Sequence, residues 1–428
     1  MGSRLATIVA VLATIVVAAQ LIFFALFQPV WSPIDEFNHF FYVNYLSYAH
    51  RPPLYFMPYQ ATLDPSVPPE LSIPPSFGRG VSTPRQQYVT ESIQPPGYYL
   101  LVVPAFVTSS HGSYRQVYVV RLATAGLALL MVPCIFILAR LVVPRSPWVW
   151  GAAGVLPALS RGYTFNLSQV TNDGLAALVG GISILMALWL LRRRLDWRWG
   201  VVAGLTAGVA LVTKVTVYYV PVMLAAIFLV QLRRRPKAIQ ATAAGLISAV
   251  IAGLFFLPWA AFNLKHYHAI VSTGHAPPNL APYTNLPLPD ALKLMVELGS
   301  LKFWYGESLA PAPPNWLIAA GVAGLVLCTA GFLVVPFWRE RSLESGAGVV
   351  VWLVGGLVVL FTLILATHVA VLNGRYLYPL FPAIAVASAA GADRMGRAGH
   401  WLFAVSLVPL AIALAIGLPA AIRWSHGG

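Results

Sequence analysis

The fold class that the sequence predicts is an all-α polytopic membrane protein, on three observations. Hydrophobic residues make up 58% and charged residues only 9% of the 428, with a mean hydropathy of +0.75, which is more apolar than a water-soluble chain can bury. The apolar residues fall into runs long enough to cross a bilayer. The basic residues, which give a net charge of +14, stand in short clusters between those runs. That is the pattern of cytoplasmic loops against anionic lipid heads, not of basic residues interleaved with aromatics on a nucleic-acid-binding surface.

The first run, residues 5–27, follows Arg4. It exceeds the h-region of a signal peptide and lacks a small-residue cleavage site, so it reads as a retained span running outward from a cytoplasmic N-terminus. A polar, proline-rich stretch, 28–113, forms a first extracytoplasmic loop with juxtamembrane helices. Runs at 114–143, 148–159, 174–191, 200–212, 215–232 and 238–262 lead to a second outer loop, 263–315, and the last four are 316–337, 348–367, 376–392 and 401–422. The total is about eleven spans in one membrane domain covering residues 1–428, with no internal repeat.

Orientation has an internal check, because every loop this count places inside should be basic. Arg145, then Arg192, Arg193, Arg194 and Arg198, then Arg233, Arg234, Arg235 and Lys237, then Arg339 and Arg341, then Arg394 and Arg397 occupy those loops in turn. Two runs, 148–159 and 200–212, are short and end on the outer side, which predicts a recessed cavity there. Cys134 and Cys328 lie inside apolar runs and read as packing residues.

The first outer loop opens Trp31-Ser32-Pro33-Ile34-Asp35-Glu36-Phe37-Asn38-His39-Phe40-Phe41-Tyr42, which has the grammar of a helix start: Ser32 as N-cap, Pro33 in the first turn, acids at the positive end of the dipole. Asp35, Asn38, His39 and Tyr42 recur at three- and four-residue spacing and share one face. An acid so close to the membrane surface can take a proton from an incoming hydroxyl. Asp35 with His39 is too small a set for a metal site, so a divalent metal is compatible but not required. The segment Gln94-Pro95-Pro96-Gly97-Tyr98-Tyr99 opens a short helix that ends near Thr108, its tyrosines placed at headgroup depth.

The other outer ends carry Arg115, Arg121, Arg161, Asn172, Asp173, Lys214, His368 and Arg375. Cations on that side run against the positive-inside rule, and with few acids nearby they point to binding of an anion such as a lipid phosphate. The middles of the spans are nearly free of ionisable groups, which counts against a proton-coupled transporter.

With these motifs in order, the chain resembles the GT-C superfamily of membrane glycosyltransferases, the group of protein O-mannosyltransferases and lipid A aminoarabinose transferases. The acidic pair Asp35-Glu36, the Pro95 to Tyr99 segment, Arg121 at the start of a span, Asn172-Asp173 and Leu211-Val212-Thr213-Lys214 carry that resemblance. It is closer still to predicted bacterial membrane proteins with Pro-x-Asp-Glu-x-x-His and a late Gly-Arg-Tyr-x-x-Pro, here Pro33 to His39 and Gly374 to Pro379.

The resemblance implies an enzyme of the bacterial inner (plasma) membrane that moves a sugar from a polyprenyl-phosphate donor to an extracytoplasmic lipid or glycan acceptor, with inversion. In that reading Asp35 is the general base, with Glu36 and His39 orienting it or the sugar. Lys214, Arg375, Arg121 and Arg161 bind the donor phosphate, and Asn38, Tyr42, Asn172, Asp173 and Tyr376 orient substrate. No cofactor is implied. The large soluble C-terminal domain of many members is expected to be missing, which leaves the acceptor open. Two other readings keep the same residues without chemistry: a polyprenyl-linked lipid flippase or transporter, and a scaffold of an envelope glycan assembly complex.

Overall fold

The computed structural model describes residues 2–28, 30, 36–54, 90–109, 114–193, 195–234, 238–271, 287, 289–290, 303–305, 315–334 and 374–425. All regular structure among the described residues is helical. In chain order these are α1 (Ser3–Phe27), α2 (Glu36–Ala49), α3 (Gly97–Val107), α4 (Tyr114–Leu129), α5 (Met131–Val142), α6 (Pro147–Leu159), α7 (Arg161–Asn166), α8 (Asp173–Arg192), α9 (Trp197–Thr213), α10 (Tyr219–Arg234), α11 (Ala238–Tyr267), α12 (Asn315–Val334), α13 (Phe381–Arg394) and α14 (Gly396–Ser425). Short 3₁₀ turns cover Thr90–Ile93, Val215–Val217 and Gly374–Leu380.

Six described segments are long and apolar enough to span a bilayer: Ser3–Phe27, Tyr114–Val142, Asp173–Arg192, Val215–Leu232, Ile239–Tyr267 and Gly396–Ile416. The chain is a multi-pass membrane protein. The remaining expected runs at 148–159, 200–212 and 316–337 appear as shorter apolar helices. The run at 376–392 divides into the 3₁₀ turn and α13, and the one at 348–367 lies outside the described residues.

Small residues set how closely the spans approach. Gly200, Gly204 and Gly208 recur every fourth residue on α9, and a Cβ at Gly200 or Gly204 would come within 2.5 or 2.9 Å of the Ala244 and Ser248 carbonyl oxygens of α11. Without those side chains the two backbones lie against each other and gain dispersion contacts that lipid cannot replace.

Successive spans reverse direction, so their ends gather at two opposite faces. One face holds the start of α2, the start of α8, the end of α9 and the Gly374–Leu380 turn. The other holds the start of α1, the turn from α5 to α6, the end of α8 and the end of α13, with the basic residues Arg140, Arg145, Arg192 and Arg394. There His400 stacks on Trp148 at 4.0 Å and meets Asp393 at 3.1 Å.

The recess expected beyond the short helix at 148–159 is filled by the chain itself. After α6 the polar sequence Ser160 to Asn172 turns inward, and every residue of it is buried. Several of its polar groups are matched inside: Tyr163 donates to the Ala128 carbonyl, the Asn166 amide to the Tyr378 hydroxyl, and the Thr171 N–H to the Tyr98 hydroxyl. Its irregular part, 167–172, follows α7, and backbone that is neither helix nor sheet is tolerated at membrane depth only where protein surrounds it.

Candidate functional site

Two buried ionic clusters form at the α2 face. In the first, Arg121 on α4 donates through Nε and Nη2 to the two carboxylate oxygens of Glu36, both at 2.6 Å, and through Nη1 to the carbonyls of Ala25 and Gln28 at 3.2 and 2.7 Å. Glu36 Oε1 also accepts the Val170 N–H at 3.1 Å. This pair ties the end of α1, the start of α2, α4 and the inward-turning segment together. Every nitrogen of the Arg121 guanidinium is committed to one of these oxygens, both oxygens of Glu36 are engaged, and both side chains are 0% exposed, so the residues expected at the donor phosphate and beside the base are built into the scaffold here.

The second cluster centres on Asp173. It occupies the first turn of α8, where the helix dipole favours a carboxylate, and the Thr171 hydroxyl both accepts its N–H at 3.3 Å and donates to Oδ2 at 3.0 Å. Lys214 Nζ donates to Oδ1 at 2.6 Å, and Arg375 Nε lies 3.5 Å from Oδ2. Lys214 is delivered by a break between α9 and α10: Val212, Thr213, Val215, Thr216 and Val217 are β-branched and poor helix formers, and Lys214 itself is extended, with φ −163 and ψ 146.

Arg375 is delivered by the Gly374–Leu380 turn, whose Pro379 packs on the bare backbone of Gly180 in α8, where a Cβ would stand 2.5 Å from the Pro379 carbonyl oxygen. The Tyr376 ring lies 5.2 Å from Lys214 Nζ and 5.9 Å from Arg375 Cζ. Lys214, Arg375 and Asp173 together carry one net positive charge in a site where Lys214 is 3% and Arg375 6% exposed.

His39 borders this cluster. Its Nδ1 is 2.7 Å from the Tyr99 hydroxyl, and its Nε2 is 4.0 Å from Glu91 Oε2. Burial, and after it the charges of Lys214 and Arg375, pull His39 well below the ordinary imidazole range, with Asp173 opposing them. The ring is neutral at physiological pH. Tyr42 stacks on Tyr99 with centroids 3.6 Å apart and donates to the Gln94 carbonyl at 3.2 Å. Tyr98 and Tyr99, expected at headgroup depth, are fully buried, because their hydroxyls serve the inward-turning segment and His39.

His39 Nε2, both amide atoms of Asn172 and Thr216 Oγ1 are buried without a hydrogen-bond partner among the described residues. Such atoms are costly when left unmet. Asn38 is half-buried on α2. Arg161 starts α7, is buried, and lines a small pocket with Leu159, Trp304, Ile318 and Leu410. Asp35 and His368 lie outside the described residues. Among the described residues no group of three or more His, Cys, Asp or Glu is arranged to hold a metal ion. Glu91 and the buried stretch 162–171, which the sequence reading passed over between Arg161 and Asn172, both belong to this face.

No protein-family model matches the chain, and no curated protein matches it in sequence. Solved structures do. ArnT from Cupriavidus metallidurans, in a crystal structure bound to undecaprenyl phosphate, superposes with a TM-score of 0.57 at 15% identity, over 96% of this chain and 64% of that one. The archaeal oligosaccharyltransferase AglB from Archaeoglobus fulgidus, in complex with an inhibitory peptide and a dolichol-phosphate, superposes with a TM-score of 0.53 at 13% identity, over 98% of this chain and 55% of that one. The chain has a GT-C-like fold. It spans less than two thirds of the length of either protein, and at these identities the likeness establishes the fold alone.

Proposed function

We propose that this protein is an inverting glycosyltransferase that takes a sugar from a polyprenyl-phosphate donor and passes it to a lipid or glycan acceptor on the outer face of a bacterial plasma membrane. The observation that carries the reading is the Asp173 cluster, where two buried cations share one carboxylate. The net positive charge of these three residues suits a lipid-linked phosphate that enters from the bilayer, and the fold is one that ArnT uses with undecaprenyl phosphate bound.

In this mechanism the donor phosphate displaces part of the Lys214 and Arg375 contact with Asp173. The acceptor hydroxyl oxygen attacks the anomeric carbon as the bond from that carbon to the phosphate oxygen breaks. The hydroxyl proton passes to Asp35, the neighbour in sequence of the anchored Glu36, and the bonding electrons leave with the phosphate. Lys214 and Arg375 act by stabilising the charge that builds on the leaving oxygen, where preorganised cations in a water-poor site are most effective. The net positive charge of the three residues matches the single negative charge of the donor phosphodiester, so no divalent metal is invoked. Asn172, Thr216 and His39 Nε2 offer the unmet donors and acceptors that a sugar's hydroxyls require.

The test is release of free polyprenyl phosphate from a panel of lipid-phosphate sugars by purified protein, with and without chelator, beside Asp35→Asn. Release by wild type alone, unchanged by chelator, is the expected result. Folded protein that binds polyprenyl phosphate but releases none from any donor overturns the proposal.

A further inference from the structure

The opposite face of the bundle carries a second cationic feature that the proposed chemistry does not use. An open pocket of about 490 Å³ is lined by Ser3, Arg4, Thr7, Ile8, Arg140 and Trp150, where the start of α1 meets the turn between α5 and α6. Arg140 is held by aromatic rings: its Cζ lies 5.1 Å from the Trp150 centroid and 5.9 Å from that of Phe136. Trp150 is itself pinned by its indole N–H, which donates to the Val143 carbonyl at 2.8 Å. Stacking fixes the guanidinium plane and leaves its N–H edge for another group.

Among the described residues neither Arg4 nor Arg140 pairs with a carboxylate. The start of α1 adds to the positive potential. Its N-cap, Gly2, supplies no side-chain cap, and the first backbone bond of the helix is donated by the Ala6 N–H, so the N–H groups before it point outward with the dipole.

We infer that this pocket binds the phosphate headgroup of an anionic phospholipid in the leaflet opposite the Asp173 cluster. Two arginines and a helix N-terminus, with no carboxylate paired to either arginine among the described residues, select an anion. The volume exceeds what a free phosphate ion fills. Below the pocket, Ile8, Val11, Leu12 and Ile15 of α1 are all more than half exposed, a continuous apolar track on which acyl chains lie. This inference is independent of the glycosyltransferase reading, because none of its residues belongs to the Asp173 cluster.

The experiment is native mass spectrometry of delipidated full-length protein offered equal amounts of phosphatidylglycerol and phosphatidylcholine. Wild type should retain phosphatidylglycerol preferentially. The Arg4→Ala, Arg140→Ala double variant should lose about 30-fold of that preference, the scale set by two arginines at an anionic lipid surface. Lys214→Ala, which alters the other face, should keep it. All the lining side chains apart from Trp150 are exposed, so the double variant should also keep the wild-type unfolding midpoint in lipid-free detergent. Equal retention of both lipids by wild type, or a preference that survives in the double variant, overturns the inference. Displacement of the lipid by millimolar inorganic phosphate also overturns it, in favour of a free-anion site.

Discussion

At Glu36 and Arg121 each guanidinium nitrogen meets a fixed oxygen and the two charges cancel. At Asp173, on the same face, two cations converge on one carboxylate, and the adjoining Asn172 and His39 Nε2 have buried polar atoms with no partner among the described residues. Both clusters consist of an acid and a cation distant in sequence, so residue type does not distinguish them. Charge balance and saturation do. A closed, neutral pair has nothing to offer a ligand and serves to hold segments together, whereas a cluster with surplus charge and unmet donors is arranged for something that is not part of the chain.

Breaking the closed pair should have the largest effect on the folded state. Arg121→Met leaves Glu36 buried without its counter-charge and should cost about 3–5 kcal/mol, read as a large drop in unfolding midpoint in detergent. Activity per folded molecule should change little by comparison. A variant of normal stability that binds donor poorly would reverse the assignment and return Arg121 to the phosphate.

The open cluster should behave the other way. Lys214→Met leaves Asp173 with Arg375 and the Thr171 hydroxyl, so stability should fall by only about 1–2 kcal/mol, while turnover falls about 10²–10³-fold, the usual cost of removing one donor to a developing oxyanion. Arg375→Met should match it. If turnover and stability fell together, in the proportion seen for Arg121→Met, the cluster would be structural as well. Gly180→Val tests the same cluster from behind: its side chain would collide with the Pro379 backbone and push the Arg375 turn off α8. We expect a stability loss of about 1–3 kcal/mol together with a turnover loss close to that of Arg375→Met.

Much of this was legible in the sequence for a physical reason. Lipid imposes apolar runs of fixed length, so the spans leave strong local signals. His39, Asp173, Lys214, Arg375 and Tyr376 could be picked out because polar groups at span ends are rare. What could not be read was which of them meet. Arg121 and Lys214 look alike as lone cations, and only the fold brings Glu36 across 85 residues to one of them and Asp173 across 41 to the other. The burial of the Ser160–Asn172 segment was missed for the same reason: its polarity signals a surface loop, and it is buried through partners such as Tyr98 and Tyr378 that lie far off in sequence.

The smallest effect sharpens the comparison through pH. His39 has a depressed pKa in the folded protein, so the unfolded chain binds a proton near pH 6.5 that the folded chain refuses. Its contribution to stability is therefore complete above about pH 6.5 and is lost as the pH falls below it, at up to about 1.4 kcal/mol per pH unit. His39→Gln should flatten the unfolding midpoint between about pH 6.5 and 5. Burial is the leading cause of the depression and the charges of Lys214 and Arg375 come next, so Lys214→Met should flatten it in part. Arg121 is not among the groups acting on His39, and Arg121→Met should lower the whole curve without changing its slope below pH 6.5. A slope that responded equally to both substitutions would mean that the two clusters share one electrostatic environment, and their division into scaffold and site would fail.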